Sequence, residues 1–253
     1  MSAQKKPLVS CICVTHHNVE ILKRSIQCFQ DQTYINKEII VAFESDREDI
    51  ANYLGELKDS SIRSLLFSKE MQLTLGEKRN LAIESANGFY LCVWDDDDWY
   101  NIKRIEIQIQ SLKDIRYKSS VLSNIILYDG KTQEAYLSAT RWAWEQTLFC
   151  EKSIFENSAR RYENVNRGED SPLLYNLKQN DFLSTISHPD LYIYVYHGRN
   201  AFHRGHWEVN LLYWAKKLPA DQSSAIQNIV EGKVSNYEGS ALLKTFLQPG
   251  MTG

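Results

Sequence analysis

The sequence has no long basic run, and its charges nearly balance. Its 253 residues include 29 lysines and arginines against 32 aspartates and glutamates, a formal net charge of -3. Proteins that bind nucleic acid obtain most of their affinity by neutralising phosphates. We therefore expect no nucleic-acid partner.

Long apolar stretches are also absent. No window approaches the 18 unbroken apolar residues that a membrane-spanning helix requires, and residues 1–7 show no apolar core of a signal peptide. These absences predict a soluble, cytoplasmic chain. Peripheral contact with the inner face of a membrane stays open, because a surface contact needs no spanning helix.

Cysteine is scarce, and its spacing fits neither a disulfide framework nor a zinc site. Five cysteines lie at positions 11, 13, 28, 92 and 150, where we expect reduced core residues. Three further motifs are missing: a complete phosphate-binding loop before Gly130, a calcium loop after Asp95, and a Gly-x-Ser-x-Gly nucleophile turn. Their absence excludes the commonest nucleotide, calcium and serine-hydrolase sites.

Hydrophobic periodicity predicts alternating strands and helices in the first hundred residues. Strands are predicted at residues 8–14, 38–43, 62–67 and 89–94. The first is a continuous apolar run, typical of a strand buried on both faces, and the second is also expected to be buried. Helical spacing lies between the strands, with N-terminal signals at Asn18 and in the Thr-x-x-Glu sequence at 74–77. The alternation indicates a mostly parallel sheet flanked by helices, in which ligands bind beyond the carboxyl ends of the strands.

A smaller antiparallel part is predicted after residue 100, with a hairpin of strands 121–128 and 134–139 around Asp129-Gly130. From Trp207 onward the pattern is mainly helical. We therefore expect one domain at 1–207 and a helical extension at 208–253 packed on it. The other elements predicted here are a strand at 147–150, helices that begin near 153 and 171, and a strand at 191–196.

The most informative stretch is LCVWDDDDWY at 91–100, where a buried strand runs into four consecutive carboxylates. Adjacent carboxylates raise one another's proton affinity unless a cation lies among them. Oxygen ligands suit Mg²⁺ or Mn²⁺, which commonly keep waters and bind substrate phosphates. The alternative is a solvated acidic turn that follows an edge strand.

Five blocks follow one another in a fixed order: PLVSCICVT at 7–15, QTYINKEIIV at 32–41, GEKRNLAI at 76–83, DDDD at 95–98 and GED at 168–170. In this order they resemble family 2 glycosyltransferases of the GT-A fold, over about residues 7–207. The resemblance implies metal-dependent transfer of a sugar from a nucleotide-diphosphate sugar to an acceptor hydroxyl, with inversion at the anomeric carbon. It implies Mn²⁺ or Mg²⁺ as cofactor, a UDP-sugar as the default donor, and a carbohydrate or glycolipid acceptor in polysaccharide or glycoconjugate synthesis.

Within this resemblance, Asp95, Asp96 and Asp97 stand at the family's Asp-x-Asp motif. Asp97 is expected to bind the metal that bridges the donor diphosphate, which is Lewis-acid catalysis. Asp95 and Asp96 are expected to contact the donor. His197 directly follows a predicted strand and is expected to complete the metal's ligands, with His203 as the alternative.

Asp170 matches the family's second acidic residue and is the expected general base, although a helix N-cap would also favour aspartate there. Glu169 and Trp144, the latter beside Glu145, are expected to contact the acceptor, whereas most tryptophans are core anchors. The other expected donor-binding residues are Thr15, Glu44 and Arg79. Glu44 replaces the aspartate usual in the family, so the identity of the donor's nucleobase stays open. Arg79 has a solvated helix position as its alternative.

Two other functions fit part of the sequence. A sugar nucleotidyltransferase would normally carry a glycine- and lysine-rich phosphate loop after the first strand, where this chain has Thr-His-His-Asn at 15–18. A non-catalytic nucleotide-sugar-binding module would keep the pocket without turnover. The sequence specifies neither the sugar, the acceptor nor the oligomeric state.

Overall fold

The computed structural model describes residues 6–16, 19–114, 116–139, 143–201 and 203–247. Two sheets and eight helices make up this part of the chain. The larger sheet contains β1 (Val9–Val14), β2 (Lys37–Glu44), β3 (Ile62–Phe67), β4 (Tyr90–Val93), β6 (Ser119–Leu122), β9 (Trp144–Glu151) and β10 (Leu183–Ile186). The smaller sheet contains β5 (Trp99–Tyr100), β7 (Ile126–Asp129), β8 (Glu134–Leu137), β11 (Tyr192–Tyr196) and β12 (Lys216–Lys217). The helices are α1 (Val19–Gln30), α2 (Glu48–Glu56), α3 (Leu75–Ser85), α4 (Arg104–Ser111), α5 (Ser171–Gln179), α6 (Arg204–His206), α7 (Ala220–Val230) and α8 (Asn236–Phe246).

The larger sheet has the strand order β10-β6-β9-β4-β1-β2-β3. Strands β4, β1, β2 and β3 run parallel, and β9 runs antiparallel to both of its neighbours, β4 and β6. The smaller sheet has the order β12-β8-β7-β11-β5. Within the smaller sheet, β11 runs parallel to β7, and the other pairs are antiparallel. The predicted fold class, a mostly parallel sheet flanked by helices, is confirmed, and the smaller part is mixed rather than wholly antiparallel.

Apolar side chains are buried on both faces of the larger sheet. Within β1, Cys11 and Cys13 pack into the core cluster that contains α1, while Ile12 packs into the cluster on the opposite face. Burial on both faces explains why the parallel strands read as continuous apolar runs. All five cysteines are free and buried.

Helix α3 begins as the sequence predicts. The Thr74 hydroxyl accepts a hydrogen bond from the Glu77 backbone N–H at 3.3 Å, and the Glu77 carboxylate accepts one from the Thr74 N–H at 2.9 Å. This reciprocal capping satisfies two N–H groups that a helix start leaves unpaired. The other predicted cap, Asn18, lies outside the described residues.

Two predictions for the middle of the chain are wrong. Residues 121–128 do not form one strand, because β6 belongs to the larger sheet and β7 to the smaller one, while the hairpin of β7 and β8 is present. The helix predicted from Ser153 is only a 3₁₀ turn over Lys152–Glu156. Asn157 ends it, since its side chain accepts a hydrogen bond from the Ala159 N–H and starts a second 3₁₀ turn.

The C-terminal segment is mainly helical, as predicted, but Lys216–Lys217 adds a strand antiparallel to β8. Helix α8 packs beside the segment that follows the acidic cluster: Trp99 donates its indole N–H to Asn236 at 2.8 Å, and Ser240 accepts from the Ile102 N–H at 3.2 Å. The division between a domain at 1–207 and an extension at 208–253 stays a prediction.

Candidate active site

Three polar loops follow the carboxyl ends of β1, β2 and β4, which are adjacent or nearly adjacent in the larger sheet. Thr15 follows β1, and its hydroxyl donates a hydrogen bond to the Asp96 carboxylate, which follows β4. Glu44 ends β2 and pairs with the ammonium group of Lys78 at 2.8 Å. The parallel topology therefore brings the predicted donor-binding residues to one edge, with Lys78 as an addition.

The four consecutive aspartates point to different partners. Asp98 has a fully buried side chain that accepts hydrogen bonds from the Tyr192 hydroxyl and, at 2.8 Å, from the Val195 backbone N–H. Burial raises the pKa of Asp98 well above its usual range. The Asp98 carboxyl therefore anchors the acidic loop to β11. Nothing in the sequence distinguishes this structural role from the roles of the other three aspartates.

Asp97 lies against a turn that follows β11. His197 Nε2 is 3.0 Å from Asp97 Oδ2, and the Asn200 side-chain amide donates to the same oxygen at 3.2 Å. Asn200 also donates to the Val195 carbonyl at 2.9 Å, which fixes the turn. The structure thus places His197 next to Asp97, whereas His203 is the N-cap of the short helix α6 and accepts from a backbone N–H there.

The residues present fit a divalent metal as a partial set of ligands. No group of three His, Cys, Asp or Glu side chains within the described part of the chain forms a complete metal cage. Mg²⁺ and Mn²⁺ do not need one, since water and substrate phosphate commonly complete their coordination. Asp97 and His197 supply an oxygen and a nitrogen in an edge rich in carboxylates, which suits such an ion.

Arg79 of α3 joins the acidic loop to the acidic pair much later in the sequence. Its Nη2 atom is 3.0 Å from Asp95 Oδ1, and its Nη1 atom is 2.8 Å from Glu169 Oε1 and 3.9 Å from Asp170 Oδ2. The guanidinium also lies 5.3 Å from the centre of the Tyr162 ring. Arg79 is buried, so the alternative of a solvated helix residue is wrong.

The contacts at the start of α3 explain how the acidic pair reaches Arg79. The Gly76 N–H donates to the Val165 carbonyl at 3.2 Å, and the Leu75 N–H donates to the Asn166 side chain at 2.9 Å. A Cβ atom at Gly76 would lie 1.8 Å from the Glu163 carbonyl oxygen, so only glycine permits this approach. The segment that leads to Asp170 therefore docks directly on the helix that carries Arg79.

Negative charge accumulates around Arg79. Burial raises the pKa of Asp95 to about 7, and the charges of Asp97 and Asp96 add to the shift while Arg79 opposes it. Burial also raises the pKa of Glu169, again opposed by Arg79. The accumulated negative charge therefore favours a bound proton or a further cation.

Asp170 occupies the N-cap position of α5, but its side chain makes no capping hydrogen bond. The carboxyl instead faces Arg79, whose Nη1 atom lies 3.9 Å from Asp170 Oδ2. Burial raises the pKa of Glu145 to about 7, and the charge of Asp170 adds to that shift. The capping alternative for Asp170 is thus not what the structure shows.

Trp144 is 7% exposed and packs into the core cluster that contains α1. Successive residues of a strand point to opposite faces, so the Trp144 ring and the Glu145 carboxyl lie on opposite faces of β9. Trp144 therefore packs in the core, and its acceptor contact stays a prediction. The sequence singles out Glu145 only as the neighbour of Trp144.

The mostly parallel sheet, its acidic carboxyl edge and the smaller mixed sheet define a protein of the GT-A class. The family model described as "Glycosyl transferase family 2" matches residues 10–169, and the chain belongs to that family. The predicted family is thereby confirmed.

Several known proteins are similar to this chain. It is 30% identical over 113 residues to the uncharacterized glycosyltransferase MJ1057 of Methanocaldococcus jannaschii, a match that covers 44% of this chain and 39% of the relative. It is 27% identical over 106 residues to the Escherichia coli UDP-Glc:alpha-D-GlcNAc-diphosphoundecaprenol beta-1,3-glucosyltransferase WfaP, covering 42% of this chain and 41% of WfaP. The matches thus span about two-fifths of these curated relatives.

Among solved structures, the mannosyltransferase PcManGT of Pyrobaculum calidifontis, in complex with GDP-Man and Mn²⁺, has a TM-score of 0.61 at 11% identity and covers 95% of this chain and 75% of its own. At that identity the likeness concerns the fold alone.

Among the helices that the structure describes, none is both long and apolar enough to cross a membrane.

Proposed function

We propose that this chain is an inverting, metal-dependent glycosyltransferase that moves a sugar from a nucleoside-diphosphate sugar to an acceptor hydroxyl. One observation carries the proposal: a single guanidinium, that of Arg79, contacts Asp95 of the acidic loop at 3.0 Å and Glu169 at 2.8 Å, with Asp170 at 3.9 Å. A single displacement needs a donor site and a base beside each other. This contact brings the two together.

Asp97 and His197, supported by Asn200, would hold Mn²⁺ or Mg²⁺. The bound ion supplies Lewis-acid neutralisation of the charge that develops on the departing nucleoside diphosphate. The Mn²⁺ in the complex of PcManGT, which shares the fold, supports the choice of a divalent ion. The proposal includes either ion, Mn²⁺ or Mg²⁺.

The donor nucleoside is assigned to the edge formed by Thr15, Asp96 and Glu44. The Glu44 carboxylate is 37% exposed beside the Lys78 ammonium, so the pair offers an acceptor and donors to a base or a ribose. We keep UDP-sugars as the first donors to test, and the UDP-Glc in the name of WfaP supports that choice. The Arg79 guanidinium already pairs with the carboxylates of Asp95 and Glu169. Its proposed part in donor binding is therefore to hold Asp95 in place.

Asp170 is proposed as the general base. Its side chain is 21% exposed, whereas that of Glu169 is 4% exposed and paired with Arg79. Asp170 takes the proton of the acceptor hydroxyl as the oxygen attacks from the face opposite the leaving group, which inverts the anomeric carbon. The acceptor contact of Glu169 stays a prediction.

The acceptor is proposed to be a carbohydrate or a glycolipid. WfaP is named for an acceptor linked to diphosphoundecaprenol. Val209, Tyr213 and Trp214 are large apolar residues exposed within one short stretch of this chain, and such aromatic side chains favour a membrane interface. We therefore include peripheral contact with the cytoplasmic face of a membrane in the proposal.

A panel of UDP- and GDP-sugars with Mn²⁺ tests the function. The donor should raise the melting temperature and should be hydrolysed slowly, with water as acceptor. Asp170→Asn should lower turnover by roughly 100-fold or more, the usual contribution of a general base, while it keeps the donor-induced rise. Asp114→Asn, at an exposed carboxyl paired with Arg116, is the matched control. Stabilisation without turnover in the wild type would instead indicate a non-catalytic binding module.

A further inference from the structure

The main chain of the acidic loop at 95–98 is held by two consecutive residues of helix α1. The Ser25 hydroxyl donates a hydrogen bond to the Asp95 carbonyl at 3.0 Å, and Nη2 of Arg24 donates one to the Asp97 carbonyl. Both acceptors are backbone oxygens. These bonds therefore fix the path of the loop and leave its carboxylates to other partners.

Arg24 also reaches the C-terminal part of the chain. Its Nη1 atom donates to the carbonyl of Val230, the last residue of α7, at 3.2 Å. The last carbonyls of a helix have no partner within the helix, and a cation suits the partial negative charge at that end. One guanidinium thus bridges the end of α7 and the acidic loop.

A second contact joins the start of α8 to the residue that follows the loop. Trp99 donates its indole N–H to the side-chain oxygen of Asn236 at 2.8 Å, and the Asn236 amide donates to Asp31, just after α1, at 2.8 Å. The turn between α7 and α8 is therefore anchored near the acidic loop at both of its ends. The family model matches residues 10–169, so α7 and α8 lie beyond that match.

We propose that Arg24 is a positioning residue for Asp97, which makes the segment of α7 and α8 a support of the metal site. Arg24 holds the main chain of Asp97, while His197 and Asn200 contact its carboxylate. A ligand that is already held in place loses less freedom when the ion binds. Because Val230 is the other end of the bridge, the position of α7 affects that of Asp97. This inference rests on the proposed function only in that Asp97 is the metal ligand.

Hydrogen exchange tests the bridge without metal or nucleotide. Arg24→Met keeps a long side chain but donates no hydrogen bond. In EDTA, the backbone amides of residues 94–101 should exchange about tenfold faster in this variant, because a hydrogen bond from a charged donor is lost. Lys23→Met, at the neighbouring position, removes an exposed ammonium paired with Glu20 and should leave this exchange unchanged. Exchange as slow in Arg24→Met as in the wild type would overturn the inference.

Nucleotide binding then tests whether the metal ligand is positioned. For UDP and GDP, the ratio of the Kd in EDTA to the Kd in MnCl₂ measures how much the ion contributes. Arg24→Met should lower this ratio about tenfold, the usual effect of removing a group that orients a ligand, and should leave the Kd in EDTA nearly unchanged. A general loss of the pocket would instead raise the Kd in both conditions, and that result, like an unchanged ratio, would contradict positioning.

Two further variants guard against effects on folding. Tyr34→Phe loses a hydrogen bond of 2.6 Å to the Pro7 carbonyl, near the opposite end of β1, and should keep the ratio although it is less stable. Arg24→Gln has a shorter side chain that cannot bridge both carbonyls, and it replaces Arg24→Met in both assays if the methionine variant does not fold. Equal losses in Tyr34→Phe and the Arg24 variant would show general loosening and overturn the inference.

The failure of the inference and that of the proposed function are distinguishable. If Mn²⁺ strengthens neither UDP nor GDP binding in the wild type, the metal part of the proposed function fails, and exchange in EDTA still decides whether Arg24 holds the loop. If Mn²⁺ strengthens binding equally in the wild type and in Arg24→Met, the function stands and the inference fails alone.

Discussion

Replacing Arg79 by methionine tests how far one cation controls the acidic cluster. Methionine is long enough to fill much of the space but carries no charge, so Asp95, Glu169 and Asp170 would lose their shared counter-charge. Removing one partner of a buried ion pair costs about 3–5 kcal/mol, since the other charge stays buried. In a domain of this size that loss lowers the melting temperature by roughly 10 °C.

The loss should depend on pH. The pKa of Asp95 is raised to about 7 even though Arg79 opposes the shift, so it should rise further in Arg79→Met. A carboxyl whose pKa is higher in the folded state contributes stability that is complete below its unfolded value, near 4 for aspartate. That stability is lost as the pH rises through the folded value. The variant should therefore lie closer to the wild type at pH 5.5 than at pH 8.

Urea unfolding followed by tryptophan fluorescence, in EDTA at both pH values, measures the difference. Arg79→Lys keeps the charge and should lose less stability than Arg79→Met. Arg116→Met removes a fully exposed arginine and should leave the unfolding midpoint unchanged at either pH. Equal losses at pH 5.5 and pH 8 for Arg79→Met, or no loss at all, would refute the reasoning.

Two further predictions concern single aspartates of the acidic loop. Asp97→Asn should abolish the Mn²⁺-dependent rise in melting temperature produced by UDP, a rise that corresponds to about 2.7 kcal/mol at a concentration of 100 times Kd; an unchanged rise would contradict the metal assignment. Tyr192→Phe removes a hydroxyl that donates to the buried Asp98 and should cost about 1–3 kcal/mol in urea unfolding. The exposed Tyr175→Phe is its control, and equal midpoints for the two variants would show that Asp98 does not depend on Tyr192.

The sequence predicted the parallel half of the fold well because those strands are buried on both faces. Continuous apolar runs mark β1, β2 and β4 directly. The same signal failed at 121–128, where apolar residues continue through β6 and β7 although the chain changes sheet between them. Hydrophobic periodicity reports burial, and it carries no information about which sheet a strand joins.

The convergence of loops at one sheet edge followed from topology, since parallel strands end on the same side. That argument placed Thr15 and Asp96 close together, and their hydrogen bond agrees with it. The same argument could not predict that Asn200 contacts Asp97 or that Lys78 pairs with Glu44. Asn200 lies on a turn and Lys78 on a helix face, and the orientation of each depends on tertiary packing.

The GEKRN segment at 76–80 joins the acidic loop at 95–98 to the acidic pair at 169–170. Three residues of this segment make the contacts, and each has a separate physical role. Gly76 allows the chain near Glu163 to approach the helix backbone, and Asn80 exchanges hydrogen bonds of 2.9 and 3.1 Å with the backbone of Tyr162. Arg79 lies between them and reaches both acidic groups. Helical spacing alone would assign an arginine and an asparagine to a solvated face. Arg79 is buried and Asn80 is half-buried because the loop before α5 packs on α3, a contact that joins distant parts of the sequence. Local patterns can therefore predict that α3 exists, but only the packed chain shows that α3 holds Arg79 beside Asp170, the proposed base.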